Sequence, residues 1–132
     1  REPLAVSRLL GALLPRGRVI AQRQRNFALY AGLFAGFDDG ARPLLAQASA
    51  PAAPYVFPLW VDDPNPVYDA LRAAGAPVFR WDRLWPGVRA MAGDVGPSWS
   101  HHVLQLLCHQ DLSEGDIERT VATIKGMLRC RP

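Results

Sequence analysis

Lys125 is the only lysine among the 15 basic residues of this 132-residue chain, and its amine is the one group here suited to a Schiff base. Such a lysine needs a desolvated or cationic setting to lower its pKa. The sequence supplies none, because Lys125 lies beside the apolar stripe of a helical segment and reads as a solvated side chain. His101, His102, Cys108, His109 and Asp111 crowd together and invite a metal site or a nucleophile pair. Adjacent histidines on a helix point about 100° apart, and no C-x-x-C or H-x-x-x-H pair accompanies them. Cys108 and His109, as neighbours on a strand, face opposite ways. Neither a metal site nor a cysteine nucleophile is expected.

Anion recognition is the remaining chemistry. Arg16, Arg18, Arg23 and Arg25 form a basic run that reads as the solvated side of an amphipathic helix, since the aromatic residues fall on the opposite stripe. Arg80 differs. It stands between Phe79 and Trp81, just before Leu84-Trp85-Pro86-Gly87, where a guanidinium with stacking partners can anchor an anion. The glycines make no G-x-G-x-x-G or Walker pattern, so no phosphate cradle of those kinds is expected.

These residues are carried by a regular succession of elements. Val6, Leu9, Leu10, Leu13 and Leu14 recur at helical spacing from Leu4 to Leu14, and Pro15 and Gly17 interrupt them. A longer helix is expected from about Arg18 to Phe37, stopped by Asp38, Asp39 and Gly40. The stretch 46–54, AQASAPAAP, reads as a loop between strands at Arg42–Ala46 and Tyr55–Val61, with Pro58 marking an edge or a bulge. The turn signal Asp63-Pro64-Asn65-Pro66 leads into a helix ended by Gly75. Pro77 to Trp81 then alternates as a strand, with Val78 and Arg80 on one face and Phe79 and Trp81 on the other. A long loop follows from Asp82 to Pro97. Ser98 or Ser100 is expected to cap a short helix running to Gln105, with a brief strand at Leu106–Cys108. Ser113-Glu114-Gly115-Asp116 is a capping-box pattern opening a last helix on Ile117, Val121, Ile124 and Leu128. That order predicts an α+β two-layer sandwich, a small, mainly antiparallel sheet of three to four strands covered by helices on one side.

The size fits one domain, residues 1–132, able to remove roughly two-thirds of its unfolded surface from water. An apolar share of 49% and a charged share of 20% are ordinary for a folded protein, and a charge of +3 is too small to argue nucleic acid without a clustered face. No membrane segment or signal peptide is read, and two cysteines in such a chain predict a reduced, cytoplasmic protein.

Four segments then bring a family into view: RQRNFALYAGL (Arg23–Leu33), YVFPLWVDD (Tyr55–Asp63), LRAAGAPVFRWDRLWPG (Leu71–Gly87) and LQLLCHQDLSEGDIERT (Leu104–Thr120). Their order and spacing resemble the carboxy-terminal small domain of a DegT/StrS-class, fold-type-I aminotransferase dependent on pyridoxal phosphate (PLP). The chain departs from that class at Leu107, where proline is usual, and at Arg80-Trp81, where His-Tyr is more usual. The resemblance implies a homodimeric parent enzyme that moves an amino group to a sugar or related ketone. It places the Schiff-base lysine, the acid and the phosphate cup in a large PLP-binding domain of the same protein. This chain then holds no catalytic residue and binds no cofactor by itself. Arg80 and Trp81 become substrate-binding residues at the entrance, and residues 1–16 a helix from the interdomain connection. Leu9, Leu10, Leu13 and Leu14 should be exposed where the large domain covers them. The small charge and the short apolar runs predict no nucleic acid and no membrane as partners. The alternative is a free-standing α+β interaction module; RNA binding through the arginine helix is weaker, for want of an aromatic platform.

Overall fold

A computed structural model of the chain describes residues 13–81, 86–89 and 91–130. Four strands, β1 (Ala41–Pro43), β2 (Val56–Val61), β3 (Val78–Arg80) and β4 (Val103–Leu107), form one sheet in the order β1-β2-β4-β3, and every pairing is antiparallel. Among the described residues four helices accompany it: α1 (Arg16–Leu33), α2 (Pro64–Ala73), α3 (Gly96–His102) and α4 (Glu114–Arg129). The architecture is the expected α+β sandwich. The helix expected over Leu4–Leu14 lies largely outside the described residues; of its apolar stripe, Leu13 and Leu14 are described, and both are exposed.

Alternation along β2 and β4 divides the sheet into two faces. Phe57, Leu59 and Val61 of β2, with Leu104 and Leu106 of β4, are buried beneath α1, α2 and α4. Phe57 is the centre of this core. Phe27 and Tyr30 of α1, and Phe34 just after it, hold their rings 4.9, 5.4 and 6.1 Å from its own. α4 adds Ile117, Thr120, Val121, Ile124 and Leu128, which lie along a single stripe.

Local chemistry explains the ends of the helices. α2 starts at Pro64, earlier than the turn reading of Asp63 to Pro66, because a proline in the first turn forfeits only an N–H that has no helical partner. It stops at Gly75, whose φ of +71° is open to a residue without Cβ. There Ala76 N–H reaches Leu71 O at 2.9 Å and Gly75 N–H reaches Arg72 O at 3.1 Å, the two bonds of a Schellman motif. α1 ends at Leu33, before Phe37. Ala35 and Phe37 instead bond three residues back, and Gly36 turns the chain at a φ of +68°.

Two expectations are corrected. The helix ending at Gln105 and the strand Leu106–Cys108 are replaced by α3, ending at His102, and by β4 from Val103. Pairing on both sides of β4 outweighs the weak helical spacing, and the alternation of Leu104, Leu106 and Cys108 is the signal that was there to read. Pro58 marks no edge: β2 lies between β1 and β4. Its carbonyl accepts Leu44 N–H on the β1 side, so its missing N–H faces the place where β1 has already ended.

The capping box of α4 is formed as expected. Ser113 Oγ accepts Asp116 N–H at 3.2 Å, and Asp116 Oδ2 accepts Ser113 N–H at 2.9 Å. Ser113→Ala should cost about 1 kcal/mol of stability in urea unfolding. Ser113's hydrogen bonds hold the Asp116 carboxyl below its ordinary value of 3.8. Its contribution is therefore full above the unfolded pKa and fades as pH falls through the folded one. The stability gap between the wild type and Asp116→Asn should close on acidification; a gap that persists unchanged at the acid end would contradict this.

Candidate functional site on the open face of the sheet

The second face of the sheet carries Val56, Pro58, Trp60, Val103, Gln105 and Leu107, and α1, α2 and α4 leave it uncovered. A groove of about 500 Å³ crosses it. Val56, Pro58 and Val103 make its floor, Leu44 and Leu45 close it beyond β1, and Trp81 stands at the β3 side. Trp99 and Ser100 of α3 form its rim. Trp81 is 76% exposed and Trp99 51% exposed, so both indoles present most of an aromatic face to solvent.

α3 has no buried residue, yet two contacts fix its last turn. Arg80 Nη2 donates to His101 O at 3.0 Å, and His102 Nδ1 lies 3.0 Å from Val61 O. A carbonyl only accepts, so Nδ1 carries the proton. The His102 ring stacks on Trp60 with centroids 4.2 Å apart, and the Arg42 guanidinium covers the same indole at 4.6 Å. Trp60 Nε1 donates to Asp62 at 2.9 Å. The rim of the groove is thereby tied to β2 and β3.

Arg80 and Trp81, adjacent in sequence, part company in space. Arg80 turns to the helix side, where Nη1 donates to Asn65 Oδ1 at 2.8 Å and the guanidinium lies 5.6 Å from the Tyr68 ring centre. Its Nε is buried without a hydrogen-bond partner among the described residues. Trp81 turns to the groove. The separation follows the expected alternation of β3, and Phe79 shares the groove side and is exposed.

The remaining chemical residues are spent on the fold. Lys125, expected to be solvated, donates from Nζ to Leu33 O at 2.6 Å and lies 4.9 Å from the Phe37 ring centre. It satisfies a carbonyl at the end of α1, a role set by tertiary packing that its own helix does not announce. The arginine run is likewise not simply solvated. Arg23 Nε donates to Gln110 at 3.0 Å and Arg25 pairs with Glu114 at 2.7 Å. Between them, buried Asn26 donates to His109 O at 2.7 Å. Asn26 was missed, although an asparagine one turn before Tyr30 on a buried stripe is a visible signal. Cys108 is buried in the core, and burial pushes its thiol up to about 12, which removes the thiolate at neutral pH. His102 is held at β2 and His109 in the loop before α4, and among the described residues no set of three metal-ligating side chains converges. Nor is any helix there long and apolar enough to cross a membrane.

No protein-family model and no curated protein matches the chain. Solved structures do. DesV of S. venezuelae, solved in complex with a ketimine intermediate, superposes with a TM-score of 0.72 at 19% identity, over 97% of this chain and 36% of its own. The aminotransferase TlmJ from Streptoalloteichus hindustanus superposes with a TM-score of 0.66 at 19% identity, over 93% of this chain and 34% of its own. The chain has the fold of one part of these proteins and spans about a third of their length. An aminotransferase small-domain fold is what the four ordered segments pointed to.

The contrast between the two neighbours is measurable. Arg80→Leu removes two hydrogen bonds from a charged donor and should cost about 1–3 kcal/mol in urea unfolding. Trp81→Ala, at an exposed position, should stay within about 0.5 kcal/mol. Equal losses at both positions would show that Arg80 is not the tie between α2 and α3.

Proposed function

We propose that this chain is the carboxy-terminal small domain of a PLP-dependent aminotransferase of the DegT/StrS class, acting on a sugar or related ketone. The observation that carries the reading is superposition along nearly the whole chain on proteins three times its length, one of them an aminotransferase. The four ordered sequence segments support it independently.

The residues present do not fit the cofactor. The one lysine is engaged with the Leu33 carbonyl beneath Phe34 and Phe37, and among the described residues no charged side chain lines the groove for a phosphate or a ring nitrogen. PLP therefore belongs to a large domain of the same polypeptide, and this chain takes no part in the covalent steps. Its work is to bind and to exclude water. Trp81 presents its indole at the substrate entrance, and Arg80 shapes that entrance from the β3 edge by fixing α3. The parent is read as a homodimer of the reduced cytoplasm, where Cys108 and Cys130 remain free thiols.

The exposed aromatic face also favours a second reading, a free-standing interaction module. The two are separated by the polypeptide itself, since only the first requires a large PLP-binding domain joined to this chain. In that longer protein, Trp81→Ala and Arg80→Ala should each raise the KM for the amino acceptor about tenfold, equivalent to ~1.4 kcal/mol, with the cofactor's absorbance unchanged. Unchanged kinetics in both variants would overturn the entrance role, and a parent without a PLP domain would overturn the aminotransferase reading.

A further inference from the structure

The imidazole of His109 closes a chain of hydrogen bonds whose directions follow from its other end. Arg23 can only donate, and its Nε donates to Gln110 Oε1 at 3.0 Å. That bond fixes the Gln110 amide, so the atom 3.0 Å from His109 Nε2 is the amide nitrogen, which also only donates. His109 Nε2 is therefore the acceptor. The proton of the neutral ring sits on Nδ1, 3.4 Å from Asp111 Oδ2. The Asp111 N–H lies equally far from Nδ1, at the long end of hydrogen bonding, so the shorter Gln110 contact decides the tautomer.

Protonation reverses the demand. An imidazolium donates from both nitrogens, and Nε2–H would point at the amide hydrogens of Gln110. Turning the amide over gives Oε1 to His109 but presents the amide nitrogen to Arg23 Nε–H, donor against donor. Arg23 and the imidazolium thus compete for one oxygen. The His109 side chain is 36% exposed, which gives a proton access to the ring.

The surrounding charges pull in both directions. Asp111, 80% exposed, favours the imidazolium through a contact that solvent and salt screen. Arg23 opposes it, as does Arg18, which lines one cleft with Gln110 and Asp111. Arg25 and Glu114 pair with each other, and buried Cys108 keeps its proton at neutral pH. Tyr55 meets the Arg23 guanidinium with its ring, 5.8 Å from the centre.

The competition governs how α1 is attached to the connection between β4 and α4. Arg23 holds Gln110, Arg25 holds Glu114 and Asn26 holds His109 O. The last two use a carboxylate and a backbone carbonyl, so neither changes where histidines titrate. We infer that Arg23, Gln110 and His109 form a proton-sensitive latch: near neutral pH the Gln110 oxygen holds Arg23, and on acidification the His109 imidazolium takes that oxygen and Arg23 is released. The latch lies on the helix connection, away from the groove, and its failure would leave the aminotransferase reading intact.

Proton–nitrogen NMR tests it in the 132-residue chain, whose core is built from its own residues. At about pH 8 the His109 ring should carry its proton on Nδ1, and on acidification to about pH 5 the Arg23 Nε–H resonance should move, in step with the His109 ring, toward the position of free arginine. His109→Gln should leave Arg23 unmoved over that range. Gln110→Glu should do so with the histidine still titrating, because a carboxylate has an oxygen for each donor. A proton on Nε2 at the alkaline end, an Arg23 resonance that ignores the His109 titration, or the same Arg23 shift in His109→Gln would each overturn the latch.

Discussion

Five residue pairs hold β2 against β4, from Val56 opposite Leu107 to Trp60 opposite Val103, across more than forty residues of intervening chain. Because a strand alternates its side chains, that one register assigns every residue of both strands to a face. Phe57, Leu59, Leu104 and Leu106 go under the helices; Val56, Pro58, Val103 and Gln105 go to the groove. A slip of one residue would exchange the two sets and bury Gln105 where Leu104 or Leu106 now packs. The core and the candidate site are therefore the two sides of one hydrogen-bonding pattern.

The helices answer to the inner side of that pattern. α1 and the Phe34 that follows it meet Phe57 with three aromatic rings, and Arg23, Arg25 and Asn26 of α1 reach the stretch from His109 to Glu114. That loop delivers the chain from β4 into α4, whose capping box then fixes where the last helix begins. Lys125 returns from α4 to close the exposed end of α1. The contacts form a circuit in which the two longest helices each satisfy an end or an approach of the other.

α3 belongs to the outer side and is built differently. With no buried residue it draws nothing from the core, and it is held by a guanidinium, an imidazole and a stack on Trp60. Such an element suits the rim of a site, since its position is set by a few directional contacts and its exposed face is left for a ligand. Arg80 takes part from the helix side of the sheet, Trp81 from the groove, and the alternation of a three-residue strand is all that divides their roles.

What the sequence determined by itself was whatever depends on neighbours along the chain. The capping box at Ser113, the stripe from Ile117 to Leu128, the stop at Gly75 and the opposite faces of Arg80 and Trp81 rest on spacings of four residues or fewer, and they stand as read. The ordered segments also carried the fold class, because they record which elements must follow one another. Tertiary structure decided the rest. The start of β4 was settled by partners on both flanks, the tolerance of Pro58 by the point where β1 ends, and the bond of Lys125 by a carbonyl 92 residues away. The groove itself was not legible, since Leu44, Val56, Trp81, Trp99 and Val103 share no local period and meet only because four antiparallel strands bring them to one side of a sheet.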